Sequence, residues 1–228
     1  MKRKIISLDI ETANLDMKEE GITFGNPRGW KTSCACVYDA YEDKVYSFVK
    51  NPTQIKNLYK GLGDDHPVKK DIFDNLHNFE SMKVFFESWF KKGYTLLTHN
   101  GISFDMPILC KTINKGGAEL NKVYKKFCDS DRNIDTCAYL RGHTGYRFRL
   151  QNLIKGILGE SESKLMEAVY APSEWRNMNY IKVLSYCIGD AIYTYDVYDK
   201  VLDNGGSFVA KVKHNKKEFL QEVENVEW

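Results

Sequence analysis

Two carboxylates close the first hydrophobic segment of the chain, in the sequence Asp9-Ile10-Glu11. Segment 4–11 alternates apolar and polar residues, which predicts a β-strand. Because side chains alternate across a strand, Asp9 and Glu11 lie on the same face and close together. Two like charges side by side are costly unless a positive group lies between them. Mg²⁺ and Mn²⁺ prefer carboxylate oxygen, so the pair is a candidate metal site, although a solvated strand end explains an isolated D-x-E as well.

A second set of polar side chains follows the short apolar segment 94–98, which predicts a buried strand. Asn100 can hydrogen-bond across the glycine-containing turn that follows. Asp105 falls in the first turn of a helix predicted over 103–114, where a carboxylate suits the positive end of the helix dipole. A purely structural role for Asp105, as a helix cap, explains the same pattern equally well.

A third pair of chemically useful side chains, Tyr186 and Asp190, lies in a helix predicted over 177–203, with a break near Gly189. The two residues are four positions apart and therefore share one helix face. A stripe of tyrosine and valine is typical of a core, whereas a carboxylate among such residues needs a partner.

Along the chain, the predicted elements that must position these side chains are a strand, a hairpin, a helix, a strand, a helix, a short strand and further helices. The hairpin is predicted over 31–49, an amphipathic helix over 79–92, and a short strand within 131–137. This order predicts one α/β domain built on a mixed sheet, with helices on its faces.

Composition excludes several classes of protein. The 228 residues carry 33 Lys and Arg against 31 Asp and Glu, a net charge of +2, so overall charge does not indicate a nucleic-acid binder. No apolar run approaches the roughly 18 residues that span a bilayer, and the N-terminus lacks a secretory signal. The six cysteines form no C-x-x-C pair, which favours reduced thiols over a zinc site. We therefore expect a cytoplasmic protein in a reducing compartment (the host cytoplasm if the protein is viral), without a membrane partner.

In this order, the three polar segments resemble the motifs of the DEDD superfamily of 3′–5′ exonucleases, in the tyrosine variant called DEDDy. The matching residues are Asp9-Ile10-Glu11-Thr12, Asn100-x₃-Phe104-Asp105 and Tyr186-x₃-Asp190. The resemblance covers residues 1–203 and implies an RNase H-like fold, a mixed central sheet flanked by helices on both faces. Residues 204–228 are expected to form a C-terminal tail that packs on the exonuclease domain or is partly mobile.

The resemblance also implies a role for each matching residue. Asp9 would bridge two divalent metal ions, Mg²⁺ or Mn²⁺. Glu11 and Asp190 would complete the site of the ion that holds the attacking water, and Asp105 would hold the second ion. Tyr186 would orient the water, because its ordinary pKa near 10 makes it a poor base at neutral pH.

The implied substrate contacts are Thr12, Asn100 and Phe104. Arg147 is a further candidate, because segment 146–149 alternates aromatic rings with guanidinium groups, as a platform for single strands does. The same segment is also explained by a strand or loop with Phe148 in the core.

One departure from the family pattern concerns the end of the first motif. Ala13 and Asn14 follow Thr12, where relatives often carry glycine. Because that backbone approaches the terminal nucleotide in relatives, the departure bears on how the 3′ end fits.

The resemblance implies a metal-dependent 3′–5′ exonuclease that hydrolyses phosphodiester bonds from the 3′ end of DNA, with single strands preferred. An exoribonuclease of the same superfamily is the close alternative. A binding module that kept the fold and lost the chemistry, and a structure-selective nuclease, are further alternatives. A chain of this length is not expected to hold a polymerase domain of its own, which permits a polymerase or replication partner in trans but does not indicate one.

Overall fold

A mixed six-stranded sheet forms the centre of the protein, with strand order β4-β3-β2-β1-β5-β6. The computed structural model describes residues 3–15, 18–23, 29–61, 69–113, 116–159, 166–215 and 217–228. The strands of this sheet are β1 (Ile5–Thr12), β2 (Thr32–Asp39), β3 (Lys44–Val49), β4 (Leu76–Asn78), β5 (Thr95–Thr98) and β6 (Asn133–Asp135). β2 runs antiparallel to both β1 and β3, whereas β5 is parallel to β1 and β6, and β4 is parallel to β3.

Eight α-helices accompany the sheet within the described part of the chain. They are α1 (Pro52–Leu58), α2 (Met82–Lys91), α3 (Met106–Thr112), α4 (Gly117–Asp129), α5 (Thr136–Thr144), α6 (Leu150–Leu153), α7 (Ala171–Arg176) and α8 (Tyr180–Asp203). Short 3₁₀ or π turns occur at 69–73, 79–81, 101–105, 154–158 and 168–170. The predicted α/β class and mixed sheet are confirmed.

The two faces of β1 pack against different helices, because its side chains alternate. Ile6, Leu8 and Ile10 are buried in a core with residues of α2, α3 and α4. On the other face, α8 packs across β1 and β2, where Cys36 and Cys34 lie opposite Asp9 and Glu11. Helices therefore cover both faces, and the carboxylates of β1 point towards α8.

The strands predicted near 4–11, in the hairpin, at 94–98 and within 131–137 are confirmed, as is the amphipathic helix predicted over 79–92. The sequence analysis missed β4, α4 and α5. The predicted break near Gly189 is wrong, because α8 is continuous from Tyr180 to Asp203. The sequence also predicts a helix over 161–170; residues 161–165 lie outside the described residues, and residues 168–170 form a 3₁₀ turn.

The segment after α8 folds into an antiparallel hairpin of two further strands, β7 (Phe208–His214) and β8 (Lys217–Val223). The inward residues of β7, Phe208, Ala210 and Val212, are buried in a third cluster with residues of α5, α6 and α8. The hairpin therefore packs on the domain. No helix among the residues described has both the length and the apolar character needed to cross a bilayer.

Candidate metal centre

Three carboxylates meet where β1 ends beneath α8. Oxygen atoms of Asp9, Glu11 and Asp190 all lie within 4.8 Å of one another. Glu11 and Asp190 are only 6% exposed. The Cys187 thiol, three residues before Asp190 on α8, lies 3.4 Å from the Asp9 carbonyl oxygen and holds the helix against the strand. Because three negative charges at this spacing repel one another, the arrangement favours a bound cation.

Tyr186 lies one helical turn before Asp190 and is 2% exposed. Burial raises the pKa of its phenol far above the ordinary value, and the charges of Asp190, Glu11 and Asp9 add to the effect. The phenol therefore stays protonated across the neutral range and can donate a hydrogen bond, but it cannot act as a base there.

Asp105 reaches the site from the turn that follows β5. Its side chain is 5% exposed, and its oxygens lie outside the 4.8 Å group of three carboxylates. Burial, with a further contribution from the charge of Asp135, raises the pKa of Asp105 well above its ordinary value. Asp105 stands at the N-terminal cap position of α3, yet its side chain makes no capping hydrogen bond. The explanation of Asp105 as a helix cap is therefore wrong.

Asp135, at the end of β6, fixes the turn that carries Asp105. Its carboxylate accepts hydrogen bonds from the backbone amides of Asn100 (2.8 Å) and Ile102 (2.9 Å). Gly101 is required between them, because a Cβ there would lie 2.5 Å from the Thr98 side chain. Since β1, β5 and β6 are parallel, the residues at their carboxyl ends meet at one edge of the sheet.

One cavity of about 780 Å³ is lined by every residue that the sequence analysis selected for the site. These residues are Asp9, Glu11, Thr12, Asn100, Phe104, Asp105, Arg147, Tyr186 and Asp190. Carboxylates, neutral polar residues and basic residues all contribute to the wall of this cavity. The geometry thus combines a candidate cation site with space for a polar ligand.

Aromatic packing shapes the wall beside Phe104. The rings of Phe104 and Trp30 meet edge to face at 5.2 Å between centroids, and the Trp30 indole donates a hydrogen bond to the Thr23 carbonyl. Asn14, two residues after Thr12, is buried and accepts a hydrogen bond from the Lys31 amide at 2.6 Å. This residue therefore anchors the end of β1 to the segment that carries Trp30.

Segment 146–149 divides its residues between core and cavity. Phe148 is fully buried, so its placement in the core is confirmed, whereas Arg147 and Arg149 line the cavity. His99 ties the segment to the site, with its ring nitrogens 3.1 Å from the Phe148 carbonyl and 2.8 Å from the Thr136 hydroxyl.

Several cavity-lining residues were not assigned to the site by the sequence analysis. Among them are Trp30, His99, Arg149 and Glu218, together with Lys213, one of the tail lysines that could follow a phosphate backbone or form a solvated face. His99 directly precedes the second motif, and Arg149 belongs to the segment already selected, so proximity in sequence is a signal for both. Lys213 and Glu218 reach the cavity only because the tail folds back as a hairpin, which no motif predicts.

Three thiols lie behind the carboxylates. The sulfur atoms of Cys34, Cys36 and Cys187 are within 4.8 Å of one another, and all three residues are fully buried. Cys34 and Cys36 are two residues apart on β2 and therefore share one face, and Cys187 comes from α8. Burial raises the pKa of both Cys34 and Cys187, and the nearby charge of Glu11 adds to the rise at Cys34. Thiolates beside the carboxylates would be costly, so we interpret Cys34 and Cys187 as protonated thiols that fill the core.

The donor set fits hard divalent cations. The group that lines the cavity consists of the carboxylates of Asp9, Glu11 and Asp190, and a fourth carboxylate, Asp105, lines the same cavity. Oxygen donors of this kind suit Mg²⁺ and Mn²⁺, whereas soft ions prefer sulfur or imidazole. A scan of protein-family models and a search of curated proteins each return no match to this chain. The function is therefore argued from geometry and chemistry.

Proposed function

We propose that the protein is a metal-dependent 3′–5′ exonuclease of the DEDDy type, with an RNase H-like fold. The observation that carries the proposal is the convergence of Asp9, Glu11, Asp105, Tyr186 and Asp190 on one cavity, although they are scattered along the chain. The mixed sheet with helices on both faces is compatible with this fold.

Two divalent cations, Mg²⁺ or Mn²⁺, are part of the proposal. Asp9, Glu11 and Asp190 would hold one ion, and Asp9 with Asp105 would hold the other. When bound, such a pair lowers the pKa of a water molecule and stabilises the attacking and leaving oxygens of a displacement at phosphorus. Four carboxylates balance two divalent ions in charge, so substrate phosphate then enters a site that no longer repels it.

Tyr186 orients the attacking water in this proposal. Its phenol is buried beside the three clustered carboxylates and remains protonated, so it donates a hydrogen bond and fixes the direction of the water. Such positioning lowers the barrier because the water is already aligned before reaction.

The remaining wall of the cavity would bind the 3′ end of the strand. Phe104, braced by Trp30, offers an aromatic ring for the terminal base. Thr12 and Asn100 can hydrogen-bond the sugar and phosphate, and Arg147 can pair with a phosphate oxygen. DNA is the first choice of substrate because the N-x₃-F-D form of the second motif and the long third-motif helix look most like proofreading domains. RNA would require a group that senses the 2′-hydroxyl.

The test uses oligonucleotides of one sequence labelled at the 5′ end, as single-stranded DNA, duplex DNA and RNA, with Mg²⁺, Mn²⁺ or EDTA. We expect progressive shortening from the 3′ end, release of nucleoside 5′-monophosphates, fastest cleavage of single-stranded DNA, and no cleavage in EDTA. Faster cleavage of RNA would make the protein an exoribonuclease.

The matched controls are Asp9→Asn and Asp129→Asn. Each removes one negative charge, but Asp129 is exposed on α4, away from the cavity. Only Asp9→Asn should abolish cleavage. Loss of label from the 5′ end, or equal activity of the two variants, would overturn the proposal.

A polymerase or replication protein is proposed as the partner that supplies the DNA end in trans. The chain would then remove nucleotides from ends that the partner presents. Co-purification on a primer–template junction would test this association.

A further inference from the structure

The C-terminal hairpin forms part of the wall of the cavity that holds the carboxylates. Lys213 on β7 and Glu218 on β8 both line this cavity, and the two residues pair across the hairpin. Arg147 and Arg149 line the same cavity. The hairpin therefore places a cation and an anion of its own at the candidate site.

The hairpin packs on the domain, and this packing places the backbone of Lys213 beside the cavity. Ala210 and Val212 are buried on its inner face. The Asn152 side chain donates a hydrogen bond of 2.8 Å to the Lys211 carbonyl. Gly156 permits the close approach, because a Cβ there would lie 2.3 Å from the Val209 carbonyl oxygen.

Aromatic contacts join the far end of the hairpin to the segment that carries the two arginines. The Tyr146 ring meets the rings of His214 and Phe219 edge to face, with centroids 5.6 and 5.4 Å apart. Such edge-to-face contacts stabilise the packing of the hairpin on this segment. Segment 146–149 and the hairpin thus form one continuous wall.

The charge of this wall is opposite to that of the metal centre. Arg147, Arg149 and Lys213 outnumber Glu218, so the wall attracts polyanions although the whole chain carries a net charge of only +2. A strand whose 3′ end reaches the carboxylates must pass its preceding phosphates along some part of the cavity wall. Lysine and arginine are the side chains that bind such phosphates.

We propose that the hairpin is a backbone clamp, in which Lys213 binds a phosphate of the strand leading to the 3′ terminus, beside Arg147 and Arg149. This inference rests on the proposed function. It assigns binding of the substrate backbone to an element outside the three motifs. Glu218 limits the grip, because its carboxylate lies across the hairpin from Lys213 and competes with the phosphate.

The test compares Lys213→Ala with Lys211→Ala. Lys211 is on the same strand and the same exposed face, two residues away, but does not line the cavity. Two substrates are used, a long single-stranded oligonucleotide and the p-nitrophenyl ester of thymidine 5′-monophosphate, which has no backbone beyond the reacting phosphate. We expect Lys213→Ala to raise KM for the oligonucleotide about 3- to 10-fold, as loss of one phosphate contact does, and to affect the ester less.

The salt dependence gives a second measure of the same contact. Removing one phosphate contact to a single strand should lower the slope of log affinity against log salt by about 0.7. We expect this change for Lys213→Ala, and the unaltered slope for Lys211→Ala. Glu218→Gln should tighten oligonucleotide binding, which is the opposite of the effect expected for Lys213→Ala.

The outcomes separate the clamp from the nuclease proposal. If the wild type cleaves both substrates but Lys213→Ala and Lys211→Ala behave alike, the clamp is wrong and the nuclease proposal stands. If the wild type cleaves neither substrate, the nuclease proposal fails, and fluorescence anisotropy with the same oligonucleotide decides the clamp. In that case, weaker binding by Lys213→Ala than by Lys211→Ala supports it, and equal binding overturns it.

Discussion

Tyr186 is the residue for which burial most directly limits the chemistry. Its pKa is raised by burial and by three neighbouring carboxylates, so the phenol stays protonated at any pH at which the protein would work. We predict that Tyr186→Phe slows hydrolysis about 10- to 100-fold without abolishing it, because the hydroxyl aligns the water rather than taking its proton. The pH–rate profile should keep its shape, since no ionisation of Tyr186 contributes to it. Disappearance of a basic limb in the variant would contradict the positioning role.

Because the pKa of Asp105 is raised, we predict that the stability of the metal-free protein depends on pH. Burial and the charge of Asp135 raise its pKa in the folded state above the unfolded value of about 3.9. A carboxyl group whose pKa is higher in the folded state than in the unfolded state makes its full contribution to stability below the unfolded pKa. This contribution is lost as the pH rises through the folded pKa. Asparagine carries no charge at any of these pH values, so Asp105→Asn should gain stability relative to the wild type as the pH rises.

Urea unfolding in EDTA, from about pH 4 to about pH 8, measures this difference in the free energy of unfolding. Asp129→Asn is the control, because Asp129 is exposed and loses the same formal charge. If the difference in the free energy of unfolding between Asp105→Asn and the wild type stays constant over this range, the folded state does not disfavour ionisation of Asp105.

At the scale of elements, we predict that replacing each of two glycines by alanine has opposite effects on stability. Gly101 lies in the turn that positions Asn100 and Asp105, where a Cβ would be 2.5 Å from Thr98. Gly101→Ala should lower the free energy of unfolding by about 1–3 kcal/mol and displace the turn, with loss of activity. Gly189 lies within α8 and has open space around it, so Gly189→Ala should stabilise the protein by up to about 1 kcal/mol. Thermal unfolding and the cleavage assay check both, and similar effects of the two substitutions would contradict the assigned geometry.

The glycines also show where sequence patterns stop being sufficient. Gly189 led to the prediction of a break in α8. A glycine destabilises a helix by only about 1 kcal/mol, and the packing of α8 on two strands stabilises it by more than that. Gly116 and Gly117 follow the helix predicted over 103–114, yet a second helix begins there, because Gly116 adopts a left-handed conformation and α4 begins at Gly117. The buried stripe of α4 was present in the sequence but interrupted by lysines on the exposed face.

Strands and motifs were predictable because their signals are local. Apolar alternation predicted β1, and the D-x-E spacing placed Asp9 and Glu11 on one face. The hairpin β7–β8 alternates too, with Phe208, Ala210 and Val212 inward, but the sequence analysis expected only a tail over 204–228. Which cavity Lys213 would reach depends on tertiary packing, which no short pattern contains.

At the scale of the whole molecule, the fold brings together carboxylates that destabilise it when no cation is bound. β1 and α8 are packed on each other through a buried core, and this packing holds Asp9, Glu11 and Asp190 within 4.8 Å. The hydrophobic contacts offset a local repulsion that a cation would relieve. Binding of a cation to the folded protein alone must therefore raise its thermal stability.

We predict that Mn²⁺ or Mg²⁺ at ten times its dissociation constant raises the free energy of unfolding by about 1.4 kcal/mol, which corresponds to a rise in Tm of about 3–6 °C for a chain of this size. Asp9→Asn should lose this shift, and its Tm in EDTA should equal or exceed that of the wild type, because one of three repelling charges is gone. Asp129→Asn, with the same change in charge at an exposed position, should keep the full shift. Differential scanning calorimetry in EDTA and in each cation provides the measurement. An equal rise in Tm for Asp9→Asn and the wild type would place the cation elsewhere and remove the physical basis for grouping these carboxylates as a metal centre.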